Sequence, residues 1–451
     1  MATVVAWSWL LAGLTGSGMG LLQYFGATAD FSPWINQTRY GEAFANLRQR
    51  NQFATLTNIA LAALVWLMLQ VQVSGSNTKH RTTTNELMAL VAAGLLAVGN
   101  AVSSSRTGLF ELSLVCALCG LWGQWRHTLV RRVLVCAVLV YGIAAFAMPI
   151  LAGLDLSAHG VAARLGQDEA CGSRLILWSN VLQLIAQKPW LGWGWGELDY
   201  AHFITLYNEP RFCDILDNAH NLPLHLAVEL GIPAAALICG GFTWWVLRQK
   251  PWAERDVTRQ MAWAVMAVIL LHSMLEYPLW YGPFQMAVGL CVLLLWRQKQ
   301  PTEHEKNLKK VSNWPLALIL RAQAAIILIA IISYAAWDYH RVSQMYLQPE
   351  SRSAAYRTDT LNKIRSSWLF ADQVQFAELL TTLLTPANAE WTLATAKQLL
   401  HYSPEPRVIE KLIESAVLLG QDDEALAYLA RYKAAFPKEH AVWAKARPKP
   451  I

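Results

Sequence analysis

Charge is what this 451-residue chain has least of. Asp, Glu, Lys and Arg make up 15% of it, against about 25% in an ordinary soluble domain. That excludes a disordered polyelectrolyte and argues against a single soluble globule. No Walker loop GxxxxGK[ST], no dinucleotide fingerprint and no HExxH is present, which removes those nucleotide and zinc chemistries. Cysteine is also scarce, at seven residues. Cys116, Cys119, Cys136, Cys239 and Cys291 fall inside apolar runs and read as small fillers, and a CxxC at that depth suits neither zinc nor redox work. Cys171 and Cys213 lie in a long polar loop, where an oxidising compartment would permit a bridge. The start lacks a basic region and a small-residue cleavage site, so its charge-free stretch from Val4 to Ala29 reads as a span and not as a secretory signal. The net charge of +6 does not point to nucleic acid, because the basic residues sit at the ends of apolar runs.

What is abundant is apolar surface, at 55% with 21 tryptophans. The charge is unevenly placed. Residues 338–451 hold 27 charged residues in 114, an ordinary soluble share, while 1–337 hold 41 in 337. A bilayer core of about 30 Å needs roughly 20 mostly apolar helical residues, and nine stretches qualify: about 4–26, 53–73, 87–104, 108–125, 133–154, 222–247, 261–276, 279–296 and 314–337. The basic residues fall in alternate loops, at Lys79 and Arg81, at Arg126, Arg131 and Arg132, at Arg248, Lys250, Arg255 and Arg259, and at Arg297, Lys299, Lys306, Lys309 and Lys310. Under the nine-span count all four loops share one side, which positive-inside bias makes the cytoplasm. Segment 27–52, loop 155–221 and the tail 338–451 then face the other side. The expected fold is all-α: a polytopic transmembrane bundle over 1–337 and a soluble helical domain over 338–451.

In the tail, apolar residues recur at helical spacing over about 361–384, 388–402, 406–419 and 422–435, punctuated by Pro386, Pro404, Gly420 and Pro437. Asp422 is a candidate N-cap, followed by Asp423 and Glu424 in the first turn. Pro404 and Pro437 bracket a helix pair at close to the tetratricopeptide period. A structural or acceptor-binding role fits this domain better than catalysis.

The unusual polar residues gather on the side away from the basic loops. Segment 39–52 reads RYGEAFANLRQRNQ, with Arg39, Arg48 and Arg50. Arg106 sits in SSSRTG between two spans, and Arg174 in GSRLILW precedes an amphipathic stretch. His220 lies in DNAHNLPLH, with Asn221, His225 and Glu229 following at helical spacing. Glu276 and Tyr277 begin EYPLWYGP. Each has a plain structural alternative. An arginine at a span edge commonly snorkels to the headgroups, an interfacial histidine is commonly a hydrogen-bonded structural group, and pairing with arginine is the plain reading of the two glutamates. Trp190, Trp193 and Trp195 read first as an interfacial anchor, whereas Gly192, Gly194 and Gly196 permit close backbone approach. His220 and His225 point about 140° apart on a helix, so a zinc pair is not expected. Arginines facing one side suit a phosphate-bearing ligand, but loop 155–221 holds four basic against eight acidic residues. Individual arginines must converge, because no general basic field exists.

The order of these segments resembles the bacterial O-antigen ligase and polymerase superfamily, and in particular the PglL-type protein O-oligosaccharyltransferases. The resemblance runs through LLQYFG (21–26), NLRQRNQFAT (46–55), SSSRTG (103–108), RLILWSN (174–180), PWLGWGWGELDYAHF (189–203), DNAHNLPLHLAVELGIPAA (217–235) and EYPLWYGPF (276–284). The tail resembles the family's C-terminal region. Such enzymes usually carry further spans ahead of the point where this chain starts. Their segment near 46–52 commonly reads NLGQPNQ, so Arg48 and Arg50 stand where Gly and Pro are usual. The resemblance implies transfer of a preassembled oligosaccharide from an undecaprenyl-pyrophosphate carrier to a Ser or Thr hydroxyl of a pilin-like protein, on the periplasmic side of the inner membrane. It implies no metal, no cofactor and no nucleotide sugar. His220 is the implied base or acceptor-orienting group. Arg106 and Arg174, and less strongly Arg48 and Arg50, are implied pyrophosphate ligands. Asn221, Glu229, Glu276 and Tyr277 are implied supports or acceptor contacts.

Two enzymes of the same superfamily compete with this reading, an O-antigen ligase acting on lipid A-core and a Wzy-type polymerase. A transporter or flippase of a lipid-linked anion is the alternative of another class. Its sites usually lie at the bilayer midplane, whereas these candidates cluster on one face.

Overall fold

The computed structural model describes residues 1–73, 79–155, 171–297 and 314–446. Lys299, Lys306, Lys309 and Lys310, and part of the expected loop 155–221, lie outside the described residues. Among those residues the chain is all-helical. It divides into two compact units, one of Met1–Ala170, His220–His225 and Ala235–Gln300, the other of Cys171–Ala219, Leu226–Ala234 and Pro301–Ile451.

The first unit opens with α1 (Ala2–Tyr24), α2 (Arg50–Val73), α3 (Lys79–Val102), α4 (Arg106–Leu121) and α5 (Thr128–Leu151). In the second unit, α6 (Arg174–Gln187) and α7 (Leu198–Ile204) follow. Two helices, α8 (Leu222–Leu230) and α9 (Ile232–Gln249), carry the chain back, and α10 (Val257–Ser273) and α11 (Gly282–Arg297) complete the first unit. Helix α2 is its centre. It packs against α1, α3, α4, α5 and α10, and 83% of its apolar window is buried, compared with 33% for α5. Such close approach needs small residues where no hydrophobic drive separates helix from lipid. A Cβ at Gly13 would lie 2.3 Å from the Ala60 Cβ, and one at Gly20 would lie 2.7 Å from the Phe53 ring. At the other end of the bundle, Trp66 donates to Thr258 Oγ1 at 3.1 Å and Gln124 to Gln260 Oε1 at 2.6 Å.

Five helices are long and apolar enough to cross a membrane: Ala2–Tyr24, Arg50–Val71, Thr83–Val102, Thr128–Leu151 and Ile319–Tyr346. The other four expected spans are shorter or broken. Stretches 108–125 and 279–296 are 16-residue helices, and 261–276 falls in a 17-residue one, each about 25 Å long. The single helix expected over 222–247 is two helices. Gly231 interrupts it at φ +85°, where a Cβ would lie 2.2 Å from the Trp190 carbonyl oxygen. The Ile232 N–H turns away to the Pro189 carbonyl, at 2.8 Å. Hydropathy does not register such a backbone crossing.

The second unit continues with α12 (Trp314–Ser343), α13 (Thr360–Ile364), α14 (Ala371–Thr381), α15 (Ala389–Leu399), α16 (Pro406–Leu418), α17 (Asp422–Ala435) and α18 (Pro437–Lys445). The helix expected over 361–384 is thus two short ones, because the 366–370 turn between them is tied to Asp338. Asp422 is the first residue of α17 and Gln421 its cap, so the three acidic side chains favour the N-terminus through its dipole rather than through a capping bond. The core of this domain holds Leu379, Leu393, Leu399, Val408, Leu412 and Tyr432, and Phe203 of α7 is packed among them. Helix α7 is held there further by a Tyr200–His401 stack at 3.7 Å, His401 Nδ1 on Glu197 at 2.6 Å, and Arg431 Nε on the Ile204 carbonyl at 2.9 Å. A disulfide joins Cys171 to Cys213 with Cα atoms 5.4 Å apart, answering the pairing that sequence left open.

Candidate functional site

Four pieces of the first unit meet at the start of α2: residues 49–58, the 103–111 segment that starts α4, the 272–277 end of α10, and His220–Asn221. Their contact is polar. His220 Nδ1 lies 2.7 Å from Glu276 Oε2. The other oxygen of Glu276 accepts from Asn51 Nδ2 at 3.0 Å, and Gln49 approaches Oε2 at 3.5 Å. Asn51 Oδ1 in turn accepts from Ser105 Oγ at 2.6 Å, and Ser105 caps α4 by accepting the Gly108 N–H at 3.0 Å. Three consecutive contacts therefore connect the imidazole to the residue beside Arg106. The Tyr277 ring meets that of His220 edge-on at 4.9 Å. Asn221 caps α8 through the Leu224 N–H and donates to the Met274 carbonyl at 3.1 Å, fixing the chain beside the histidine.

The backbone carries strain at the same places. Among non-glycine residues, Arg48 (φ +58°), Ser104 (+53°) and His220 (+50°) are left-handed, a conformation that costs roughly 1–2 kcal/mol without glycine. Ser104 and His220 lie in converging segments and Arg48 directly precedes one, while Ala45, Lys250 and Asp359 are left-handed elsewhere; strain held by surrounding structure clusters at functional sites. Arg48 stands where the resemblance implies glycine, and its backbone is left-handed. Arg50 stands where the resemblance implies proline, and it is the first residue of α2, the helical position proline favours. Gln49 caps that helix by accepting the Gln52 N–H at 3.0 Å.

Three of the four expected phosphate ligands share one local geometry. Arg50, Arg106 and Arg174 are the first residues of α2, α4 and α6, and Ser105 and Ser173 cap the latter two. A cation there opposes the helix dipole and weakens the fold, but it adds to the pull of the helix on an anion. Arg106 and Arg48 are exposed, and neither makes an ion pair or side-chain hydrogen bond among the described residues. Arg50 instead pairs with Glu42 at 3.5 Å, and Arg39 lies exposed in a loop. Arg174 and Glu229 belong to the second unit. The carboxyl of Glu229 is hydrogen-bonded by the Gly196 backbone, and its carbonyl accepts the Gly194 N–H at 3.0 Å.

That contact explains the Gly-Trp stretch. A Cβ at Gly192 would fall 2.3 Å from the Glu229 carbonyl oxygen, so here glycine is required by close backbone approach. Trp193 donates to the Leu184 carbonyl at 3.0 Å, with Lys188 over its ring. Trp190 and Trp195 remain exposed.

Below Asn51, α2 presents residues that sequence reasoning missed. Glu111 is fully buried, with Thr55 Oγ1 at 2.6 Å and Asn58 Nδ2 at 3.1 Å. Thr55 Oγ1 also lies 2.8 Å from His272 Nδ1, and Asn58 and Asn100 donate to the Gly108 carbonyl at 3.1 and 3.2 Å. The glycine of SSSRTG is fixed by this packing, since a Cβ there would meet Asn100 Oδ1 at 2.3 Å. A carboxyl and an imidazole inside expected spans were the available signal, because such groups are functional candidates by default. Among the described residues no three His, Cys, Asp or Glu side chains gather as a metal site.

In the second unit, burial governs two further ionisable groups. His202 Nδ1 bonds Tyr207 at 2.8 Å, and burial followed by the charge of Arg211 lowers the imidazole to about 3, keeping it neutral. Burial, with Glu197 and Asp217 nearby, pushes the Asp199 carboxyl up to about 7.

Three family models match the chain. One described as O-Antigen ligase covers residues 89–239, one described as Virulence factor membrane-bound polymerase, C-terminal, covers 260–449, and one described as Protein glycosylation ligase covers 43–68. Together these matches and two relatives support a PglL-type member of the O-antigen ligase superfamily. It is similar to the ComP-specific O-oligosaccharyltransferase of Acinetobacter baylyi, with 25% identity over 252 residues that cover 56% of this chain and 43% of the relative. It is similar to the general O-oligosaccharyltransferase of the same organism, also at 25%, over 268 residues that cover 56% of this chain and 44% of the relative. The matched region spans less than half the length of either relative. No solved structure matches the chain significantly. Within the superfamily frame, the ligase model takes in SSSRTG, the Gly-Trp stretch and His220, and the glycosylation-ligase model takes in Arg48, Arg50 and Asn51.

Proposed function

We propose that this PglL-type chain transfers a preassembled oligosaccharide from a polyprenyl-pyrophosphate carrier to a Ser or Thr hydroxyl of an exported, pilin-like protein. The observation that carries the reading is the His220–Glu276 pair, set at 2.7 Å on an Asn51–Ser105 connection beside the exposed Arg106. With Nδ1–H directed at the carboxylate, Nε2 is the basic nitrogen. The acceptor oxygen attacks the anomeric carbon, the carbon–phosphate-oxygen bond breaks, and the lipid pyrophosphate leaves with the bonding pair while the hydroxyl proton passes to His220 Nε2. Arg106 and Arg48 supply cations for the leaving phosphates. Arg174 is retained as a phosphate ligand on its helix-start position, and Tyr277, Asn221 and Glu229 as supports.

The nine-span topology, with loop 155–221 and the 338–451 domain in the periplasm, belongs to the same proposal. The Cys171–Cys213 bridge supports an oxidising side for that loop. A second reading has a specific observation behind it, since the model matching 260–449 is described for a polymerase. Ligation to lipid A-core or glycan polymerisation would then replace protein transfer.

The test is intact mass of a pilin co-expressed with wild type or His220→Ala in a strain that makes a lipid-linked glycan. A glycan-sized increase with wild type, reduced at least about 100-fold in His220→Ala, supports the proposal. An increase that survives in His220→Ala removes the base assignment. An unmodified pilin, with lipopolysaccharide banding altered by the chain instead, moves the acceptor to lipid A-core or a second glycan.

A further inference from the structure

The second unit contains a surface that the transfer reaction does not use. Within the span Ile319–Tyr346, helix α12 has an 18-residue apolar window of mean hydropathy 2.0 in which no residue is buried in the protein. Its charge-free run lies between Arg321 and Asp338. Burial begins at Asp338, where the helix leaves that run. Asp338 Oδ1 accepts from Arg341 Nε at 2.6 Å, and Oδ2 accepts from Ser367 Oγ at 2.8 Å and from the Leu369 N–H at 3.3 Å. Arg341 also donates to Ser366 Oγ at 3.1 Å. These bonds fasten the 366–370 turn to α12 at the level of Asp338.

The fastened turn displays apolar side chains outward. Trp368 is 77% exposed and Leu369 43%. Tyr334, Trp337 and Tyr339 are exposed on α12 around the same level, and the Tyr339 and Phe370 rings meet at 5.8 Å. Aromatic rings with a polar handle concentrate where hydrocarbon gives way to headgroups. Residues 338–370 hold five basic and three acidic residues, and Arg357, Lys363 and Arg365 are exposed, a sign that suits anionic headgroups.

We propose that Trp368 and Leu369 insert into the headgroup–acyl boundary of the bilayer. They form a membrane contact of the soluble domain, separate from its span. The occupant is lipid because the turn is hydrogen-bonded to a helix whose own exposed apolar faces end at the same residue. The contact seats residues 338–370 on the membrane surface, so the tail leaves α12 at a fixed height.

The experiment is spin labelling of the full chain in vesicles of phosphatidylcholine and phosphatidylglycerol. The five free cysteines are replaced by alanine, and a nitroxide is placed at Trp368→Cys, with Leu369→Cys as a second site and Leu426→Cys, exposed on α17, as the reference. Collision rates with oxygen, which partitions into lipid, and with a water-soluble nickel chelate are compared. The expected oxygen-to-nickel ratio is several-fold higher at 368 and 369 than at 426. A ratio at both sites equal to that of 426 places the turn in water and overturns the proposal. Protection from both reagents means that protein covers the turn, and overturns it equally.

Discussion

Helices α2 and α12 are both long and apolar enough to cross a bilayer, yet their surroundings are opposite. The apolar window of α2 is 83% buried in protein and that of α12 is not buried at all. Helix α2 carries Asn51, Thr55 and Asn58, each bonded to α4 or α10 residues or to Glu276. Helix α12 carries no polar group between Arg321 and Asp338 except Gln323, Ser333 and Tyr334, and its one buried carboxylate is bonded by Arg341 of the same helix and by the 366–370 turn. The difference teaches how to read polar residues in apolar helices. A buried polar side chain in an apolar helix needs a hydrogen-bond partner, and a run of them whose partners come from other segments marks the helix at the centre of the bundle.

Predictions that break this contrast start with its most buried member. Glu111→Leu removes the partner of Thr55 and Asn58 together, and the expected loss is about 2–4 kcal/mol, read as a lower melting temperature of the purified chain. Little change would mean that the cluster holds nothing. Gly108→Ala pushes a methyl into Asn100 and Ala54 and should cost about 1–3 kcal/mol in the same assay, whereas Gly289→Ala on α11, with open space around it, should cost nothing measurable.

The next prediction sharpens the contrast from the second unit. The Asp199 carboxyl is pushed up to about 7 by burial, above its unfolded value near 3.9. The folded state therefore holds the proton more tightly. This stability is full below about pH 4 and is lost as pH rises through 7. Asp199→Asn should be more stable than wild type at pH 8 by about 1–2 kcal/mol, allowing for partial exposure, with the gap narrowing as pH falls through 7 and closing below about pH 4. A pH-independent gap refutes the assignment. The smallest expected effect is a gain. Arg48→Gly relieves a left-handed arginine and should stabilise the first unit by about 1 kcal/mol, while reduced transfer in the same variant would separate the arginine's ligand role from its cost to the turn.

The comparison also shows what was legible in the sequence. The all-helical class, the five long apolar helices and the helix pair before and after Gly420 follow from hydropathy and punctuation. The break at Gly231 does not, because it is caused by the Pro189–Gly192 backbone passing against it. The split of 361–384 was hidden for a related reason, since Asp338 lies far from it in sequence. His220, Glu276, Asn221 and Tyr277 were legible as candidates, and they do come together. Asn51 and Ser105 lie within NLRQRNQFAT and SSSRTG but carry no signal of their own, and a neutral side chain becomes a connector only when both its partners are visible. Arg50 shows the converse, since its charge stood out in sequence but is matched by Glu42 in the fold.

The central claim is that Glu276 and Asn51 act on His220 as one unit. It is tested most directly by single-turnover transfer rates for Glu276→Gln, Asn51→Ala and the double variant, with melting temperatures confirming that each is folded. Each single change is expected to slow transfer about 10–100-fold, with the double variant no slower than the slower single one, because groups acting as a unit are not additive. Multiplicative losses, or singles at the wild-type rate, would contradict the account.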